Sequence, residues 1–502
     1  MRLITRIAAG ALTVSVATAL AGCGGSTAGS DDASVVANAA GAPTPGTSGP
    51  PTTTAPTGEV VAVQPADQGA AVLSAIGSAT SSVDVVIYQI GGNEIGQALL
   101  NAMKRGVKVR LMMDGYSASQ VKYNGQFATS MQQAVAAAGL PAGALTSHWS
   151  SDNFNITHQK SVMIDAVDGN GAPLPAGSLP PTARLLVSTG NFQDFGSTPF
   201  YAARDFYLTT DDQNLINQAS TVFASDFSCA GSTETNNLKS STDLVWSNGT
   251  TGLYAGQVGQ YPPVTIGYFG PNKVSNPAPV VQGNSFDYQL ALITGAKPGD
   301  VVRIYNEEFT SGEFVKAVTA AAQAGVDVRI VMSYEQPSSK GPSQSMVNLT
   351  NMSGAVPADS ALPGVSVTLV APQQVVPQAL YVHAKSILVT DSGGNFRAGF
   401  VGSENLSNPS MDDNRELGLP LTPSSGAVAS TIQQTFDADY NSADNTTRLD
   451  KTNPSNIPAA WNGSGAADGA GLAQAPGAAD GTPDAQLRLG SPAGKCGPVA
   501  TS

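Results

Sequence analysis

The chain repeats itself, and that repeat limits the folds open to it more than any other feature. Val83 to Tyr88 has the apolar run of a buried strand. Ile95, Leu99, Leu100 and Met103 follow at helical spacing, and Gly106 then leads into a second apolar run, Val107 to Met113. Asp300 to Tyr305, Phe314 to Ala324 and Gly325 to Met332 answer these elements in order. The register continues downstream. His158-Gln-Lys160 matches His383-Ala-Lys385, Asn191 matches Asn405, Arg204-Asp205 matches Arg415-Glu416, and Phe223 to Phe227 matches Phe436 to Tyr440. Small drifts in separation read as loop insertions, most visibly the Pro/Ser-rich stretch Gln336 to Gly364. Alternating strands and helices predict two homologous α/β halves, residues 59–240 and 241–445, each with a central sheet flanked by helices.

The ends of the chain differ in kind. Arg2 and Arg6 precede a mostly apolar stretch, Ile7 to Leu20, which is short for a membrane span and ends in Leu20-Ala21-Gly22-Cys23. This resembles a bacterial lipoprotein signal: residues 1–22 are removed and Cys23 receives lipid. An ordinary secretory signal is the alternative. Residues 23–58 are Gly, Ser, Ala, Thr and Pro with few large apolar side chains, a composition that forms a tether rather than a core. Such a tether reaches about 30 Å. Residues 446–502 are expected to be mostly irregular. No later stretch approaches the ~18 apolar residues of a transmembrane helix. The expected location is therefore outside the cell, held at the membrane by lipid within the envelope, or secreted. The chain has three cysteines, and once Cys23 is lipidated an oxidising compartment favours a Cys229–Cys496 disulfide.

Two of the three histidines, His158 and His383, occupy equivalent places in the repeat. Each is followed two residues later by a lysine, Lys160 or Lys385, and then by an apolar run. On a strand, residues i and i+2 share a face, so each histidine presents together with its lysine. Two such pairs meeting between the halves give one pocket with two imidazoles and two ammonium groups. Attack on a phosphate ester needs a nucleophile, a proton donor for the leaving oxygen and positive charge around the other oxygens. The two histidines supply the first two roles and the lysines the third, so neither metal nor cofactor is called for. Net charge argues against nucleic acid as the substrate. With 24 Lys+Arg against 37 Asp+Glu the chain carries −13, and its longest basic run is Lys104-Arg105.

These residues resemble the phospholipase D superfamily, marked in each half by His-x-Lys-x4-Asp and then Gly-Ser-x-Asn. The second half holds His383, Lys385 and Asp391 at that spacing, then Gly402-Ser403-Glu404-Asn405. The first half holds His158 and Lys160, but its acid, Asp165, comes one place early, and Ser188-Thr189-Gly190-Asn191 replaces the second motif. Either a small bulge absorbs that shift or the first motif has decayed. The resemblance implies two phospholipase D-like α/β sandwich halves packed pseudo-symmetrically around one active site. It implies a phosphohistidine mechanism, with His158 as nucleophile and His383 as acid/base. It further implies that Lys160, Lys385, Asn191 and Asn405 hold the phosphate, that Asp205 and Glu416 orient the histidines, that Thr189 and Ser403 line the substrate, and that Asp165 and Asp391 serve as structural acids.

The expected activity is metal-independent hydrolysis or transfer of phospholipid head groups, with a secreted endonuclease of the same superfamily as runner-up. A cardiolipin-synthase-like transferase stands third, and a non-catalytic binding lipoprotein is the reading from another class. Because both half-sites lie in one chain, a monomer suffices. His148 has no counterpart and reads as a surface or pocket-rim residue. Asp114 is level with Ser333, which speaks against a shared catalytic role. Tyr254, Tyr261, Tyr268 and Phe269 read as core.

Overall fold

The computed structural model describes residues 58–115, 118–150, 156–193, 203–228, 244–248, 285–355, 364–453, 456–462 and 497–499. The signal, the tether, all three cysteines and the tyrosine-rich start of the second half lie outside these residues. In the first half the elements are β1 (Val60–Val63), α1 (Ala70–Ser78), β2 (Ser82–Ile87), α2 (Asn93–Lys104), β3 (Lys108–Met113), α3 (Ala118–Ala137), β4 (Leu145–Trp149), β5 (Lys160–Ile164), β6 (Arg184–Ser188), β7 (Ala203–Arg204), β8 (Phe206–Thr210) and α4 (Gln213–Phe227). In the second they are β9 (Val245–Asn248), α5 (Ser285–Thr294), β10 (Val301–Tyr305), α6 (Gly312–Gln323), β11 (Asp327–Ser333), α7 (Gln344–Met352), β12 (Val365–Val370), β13 (Tyr381–Val382), β14 (Ser386–Thr390), β15 (Phe396–Gly402), β16 (Arg415–Leu421), α8 (Gly426–Asn441), β17 (Thr446–Arg448) and β18 (Gly497–Pro498).

The predicted duplication is visible in the strand order. One sheet runs β1-β8-β6-β5-β2-β3-β4-β18 and the other β17-β12-β11-β10-β14-β15-β16-β9. In each, three strands are parallel (β2-β3-β4 and β10-β11-β12) and the rest join antiparallel. The repeat extends to the caps. Gly106 (φ 92) and Gly325 (φ 97) end α2 and α6 in the left-handed region, where a side chain would be strained. In both, the next residue's N–H reaches back into the helix, Val107 to Ala102 O and Val326 to Ala321 O.

Strand alternation divides the core. Val83, Val85 and Ile87 point to one face of the first sheet and pack with Ile76, Ile95, Leu99 and Met103. Val86, Met163, Leu185 and Val187 point to the other face, where they join Phe223 of α4 and the core of the second half. One apolar core therefore runs through both halves, and strands buried on both faces read as continuous apolar runs.

One expectation changes. The stretch from Gln336 to Gly364 is not an insertion throughout: it carries α7, which connects β11 to β12 as α3 connects β3 to β4. Ser343 caps α7 through Met346 N–H, and Met346, Leu349 and Met352 are buried on one side. Each of these helices also spends a buried amide on the loop leaving the central strand: Asn124 Nδ2 donates to Tyr88 O, and Asn348 Nδ2 to Phe309 O. Within the described parts of 446–502, the short strands β17 and β18 edge one sheet each. Among the described residues no helix is long and apolar enough to cross a membrane.

Candidate active site

Each histidine is fixed by the opposite half. The backbone N–H of His158 donates to Arg415 O at 2.9 Å, and that of His383 donates to Arg204 O at 3.2 Å. Thr157 bridges Arg415, and β13 pairs with β7, so the residues before each histidine are stitched to the partner half. The side chains follow the same rule. His158 Nδ1 lies 2.9 Å from Glu416 Oε2, and His383 Nδ1 lies 2.9 Å from Asp205 Oδ1. Arg415 in turn pairs with Asp226 of α4 (Nε to Oδ2, 2.9 Å), and Arg204 pairs with Asp439 of α8 (Nε to Oδ2, 2.7 Å). When i meets j and j meets i across an interface, the contact has the form of a two-fold axis. Here that axis relates two halves of one chain, and the histidines lie at the seam.

The lysines are locked locally. Lys160 Nζ donates to His158 O and Lys385 Nζ to His383 O, each at 2.7 Å, and both side chains are buried. Glu416 also accepts from Ser410 Oγ and Asn414 Nδ2. Burial alone would raise its carboxyl, but the charge and hydrogen bond of His158, with Lys160 and Ser410, hold it below the usual carboxylate range. Its neighbour Glu404 is pushed well above that range by burial and by the charge of Glu416. Imidazole beside carboxylate, with an ammonium group two residues away, is the equipment for acid, base or nucleophile work at an anionic centre.

Several predicted site residues take narrower places. Thr189 Oγ1 donates to Asp205 at 2.7 Å and accepts from Phe206 N–H, while Ser403 Oγ accepts from Leu417 N–H at 3.0 Å. Both hydroxyls hold protein partners and position the acid-bearing strands. Gly190 is required beside them, because a Cβ there would sit 2.4 Å from the Asp205 carboxylate. Asn191 Oδ1 accepts from Gln89 N–H, and Asn405 is buried with its backbone N–H on Ser410.

The two motif acids are not equivalents. Asp165 turns the chain at φ 52 and accepts from the N–H groups of Thr80, Ser81 and Ser82 and from the hydroxyls of Thr80, Ser81 and Thr182. It is a buried structural acceptor, which explains the early spacing without a bulge in β5. Thr390 is level with it, and the irregular register lies there, between Val389 and Thr390. Asp391 sits in an exposed turn, accepting from Gly393 and Asn395. Asp114 and Ser333, which differ chemically, do the same job: Asp114 Oδ1 holds Thr157 N–H and Ser333 Oγ holds Val382 N–H, each the residue before a histidine. His148, on β4, stacks on Phe227 with ring centroids 4.0 Å apart.

The family profile described as "Cardiolipin synthase, PLD-like domain" matches residues 72–227 and 290–440, one stretch in each half and together more than half of the chain. The chain belongs to the phospholipase D-like family. Superfamily members are typically enzymes that transfer phosphodiester groups. A search of curated proteins finds no match. Among solved structures, polyphosphate kinase from Porphyromonas gingivalis is similar at 14% identity and TM-score 0.49, over 78% of this chain and 49% of that one; this chain thus spans about half its length. Phosphatidylserine synthase from Haemophilus influenzae is similar at 13% identity and TM-score 0.48, over 78% and 88%. Nuc from Salmonella typhimurium, described as a phospholipase D family member, gives 20% identity and TM-score 0.24 over 34% and 93%.

One residue of this phospholipase D-like site escaped sequence reading. By strand register Glu307 is level with Tyr88. Glu307 Oε2 lies 2.7 Å from Lys385 Nζ and 3.3 Å from His383 Nε2, and the Tyr381 hydroxyl donates to Oε1. Tyr88 instead sets its ring edge-on to His158, with centroids 5.0 Å apart and Lys160 Nζ 5.3 Å from its centroid. Matching Val83–Tyr88 to Asp300–Tyr305 by sequence sets Tyr88 level with Tyr305, whereas strand register sets it level with Glu307, two residues further on.

Proposed function

We propose that the protein is a phosphodiesterase which opens phospholipid head-group esters, without a metal, through a phosphohistidine. The observation that carries this reading is the reciprocal pairing of His158 with Glu416 and His383 with Asp205 across one seam. Each Nδ1 is engaged by a carboxylate, which orients each Nε2 for reaction. One imidazole attacks phosphorus and the other protonates the leaving oxygen, then activates water. Lys160, Lys385, Asn191 and Asn405 hold the remaining oxygens, and preorganised charge of this kind is the main source of rate in such a site. Acidic composition and the lack of basic runs support lipid over nucleic acid.

Full-length protein in detergent is expected to release choline from phosphatidylcholine equally with and without EDTA, and to leave single-stranded DNA intact. Cleavage of DNA alone would replace this reading with the nuclease. With glycerol present, phosphatidylglycerol in place of phosphatidic acid would make transfer the main activity. No turnover of any phosphodiester would sink the reading.

An exported, lipid-anchored enzyme would meet such a substrate at its own membrane. Leu20-Ala21-Gly22-Cys23 supports that location, and the convergence of Phe227 and Pro498 on His148 supports a bridge between Cys229 and Cys496, each two positions away from one of them in the sequence. Mass spectrometry of unreduced native protein is expected to give an acylated peptide starting at Cys23 and a linked peptide pair. An unmodified Cys23, or alkylation of both other thiols without reduction, contradicts these assignments.

A further inference from the structure

We infer that Glu307 is a specificity-determining residue: its carboxylate holds two nitrogens that a phosphate must reach, yields them to a diester with one negative charge, and expels the doubly charged monoester that hydrolysis leaves. This rests on the phosphodiesterase reading above. Glu307 Oε2 lies 2.7 Å from Lys385 Nζ and 3.3 Å from His383 Nε2. An oxygen within reach of both nitrogens stands where a phosphate oxygen would bridge them. The site therefore carries an anion of its own. No phosphate ester touches Lys385 and His383 together until that carboxylate moves off.

The geometry lets this competitor leave and return. Tyr381 donates its hydroxyl to Oε1, so one oxygen stays tethered while Oε2 swings away. The contact with Nε2 is the longer of the two and opens first. Lys385 Nζ also donates to His383 O at 2.7 Å, which keeps the ammonium in place whichever anion is present. Glu307 returns as a charged group. Burial opposes ionisation, but His383 and Lys385, with hydrogen bonds from Lys385 and Tyr381, hold its carboxyl far below the usual range.

Negative charge is already in surplus around Glu307. Glu308 is pushed up to about 7, first by burial and then by the charges of Glu307 and Glu335. Glu335 is raised by burial and by the charge of Glu307. Glu308 accepts the Thr310 hydroxyl and Glu335 the hydroxyls of Ser343 and Ser345, and neither makes an ion pair among the described residues. A phosphodiester brings one negative charge to this place. Its hydrolysis leaves a monoester whose new P–OH loses its proton to solvent with a pKa of about 6, so the product carries nearly two. Repulsion scales with the charge on the ligand, so a factor in affinity lost by the diester is about squared for the monoester.

Wild type and Glu307→Gln are compared on dihexanoyl phosphatidylcholine at about pH 8, where a monoester is doubly charged, with dihexanoyl phosphatidic acid as product inhibitor. The substitution is expected to lower KM ~3-fold and the inhibition constant of phosphatidic acid at least ~10-fold. A purely structural role would leave the inhibition constant in place or move it in step with KM, which overturns the inference while the phosphodiesterase reading stands. If the variant fails to fold, wild type alone decides. Dimethyl phosphate, a diester with one charge, is expected to inhibit more strongly than inorganic phosphate, and the reverse order overturns the inference. Failure of wild type to turn over any phosphodiester removes the reading itself and the inference with it.

Discussion

Replacing His158 or His383 with alanine is expected to lower phosphodiester turnover by at least ~10³-fold, each alone costing about as much as both together. If, as proposed, the two rings serve one phosphorus atom in succession, neither half-site retains a reaction of its own. On the proposed mechanism, loss of one ring removes the atom that bonds phosphorus and loss of the other removes the proton that lets the alcohol depart. The effect is separable from folding, because the backbone contacts of these residues to Arg415 and Arg204 do not need the imidazoles. Steady-state rates beside thermal melts decide the matter. A folded single variant within tenfold of wild type would mean that the halves do not share a site.

The second large effect concerns the seam. Arg415 and Asp226 are buried to the point of exclusion from water and come from different halves. Arg415→Ala strands the Asp226 carboxylate in the core, and breaking a buried pair in this way costs about 3–5 kcal/mol. Arg204→Ala, in the equivalent pair, is expected to cost less, because that pair keeps 13% of each side chain exposed. Urea unfolding of the two variants measures both losses. A change below ~1 kcal/mol for Arg415→Ala, or the reverse order, would mean that the halves are held by apolar contact alone.

Much of this was legible in the residues. The paired His-x-Lys runs, the acids at Asp205 and Glu416 and the α/β halves follow from matching one half against the other, since duplicated chemistry leaves duplicated letters. The crossing of partners does not follow. A sequence shows that His158 and Glu416 belong to equivalent motifs, but their contact spans 258 residues and depends on the docking of the halves. The protein partners of Thr189 and Ser403 were not legible, because a hydroxyl serves substrate and backbone equally well, and only the fold brings the Phe206 and Leu417 N–H groups to them. Asp165 looked displaced because family spacing was the yardstick, whereas its place is set by a cluster of donors around Thr80 to Ser82. Polar residues hid α7, whose buried face is carried by Met346, Leu349 and Met352. Glu307 was hidden by the logic that found everything else: it breaks the repeat.

The central claim is that two imidazoles from two halves address one phosphorus atom. A crystal structure of the native protein with orthovanadate, a pentavalent mimic of phosphorus in transfer, tests it directly. The account predicts one vanadate per chain, bonded to His158 Nε2 and within hydrogen-bond reach of His383 Nε2, Lys160 and Lys385. Vanadate bound separately in each half, or touching one histidine with the other turned away, would contradict it.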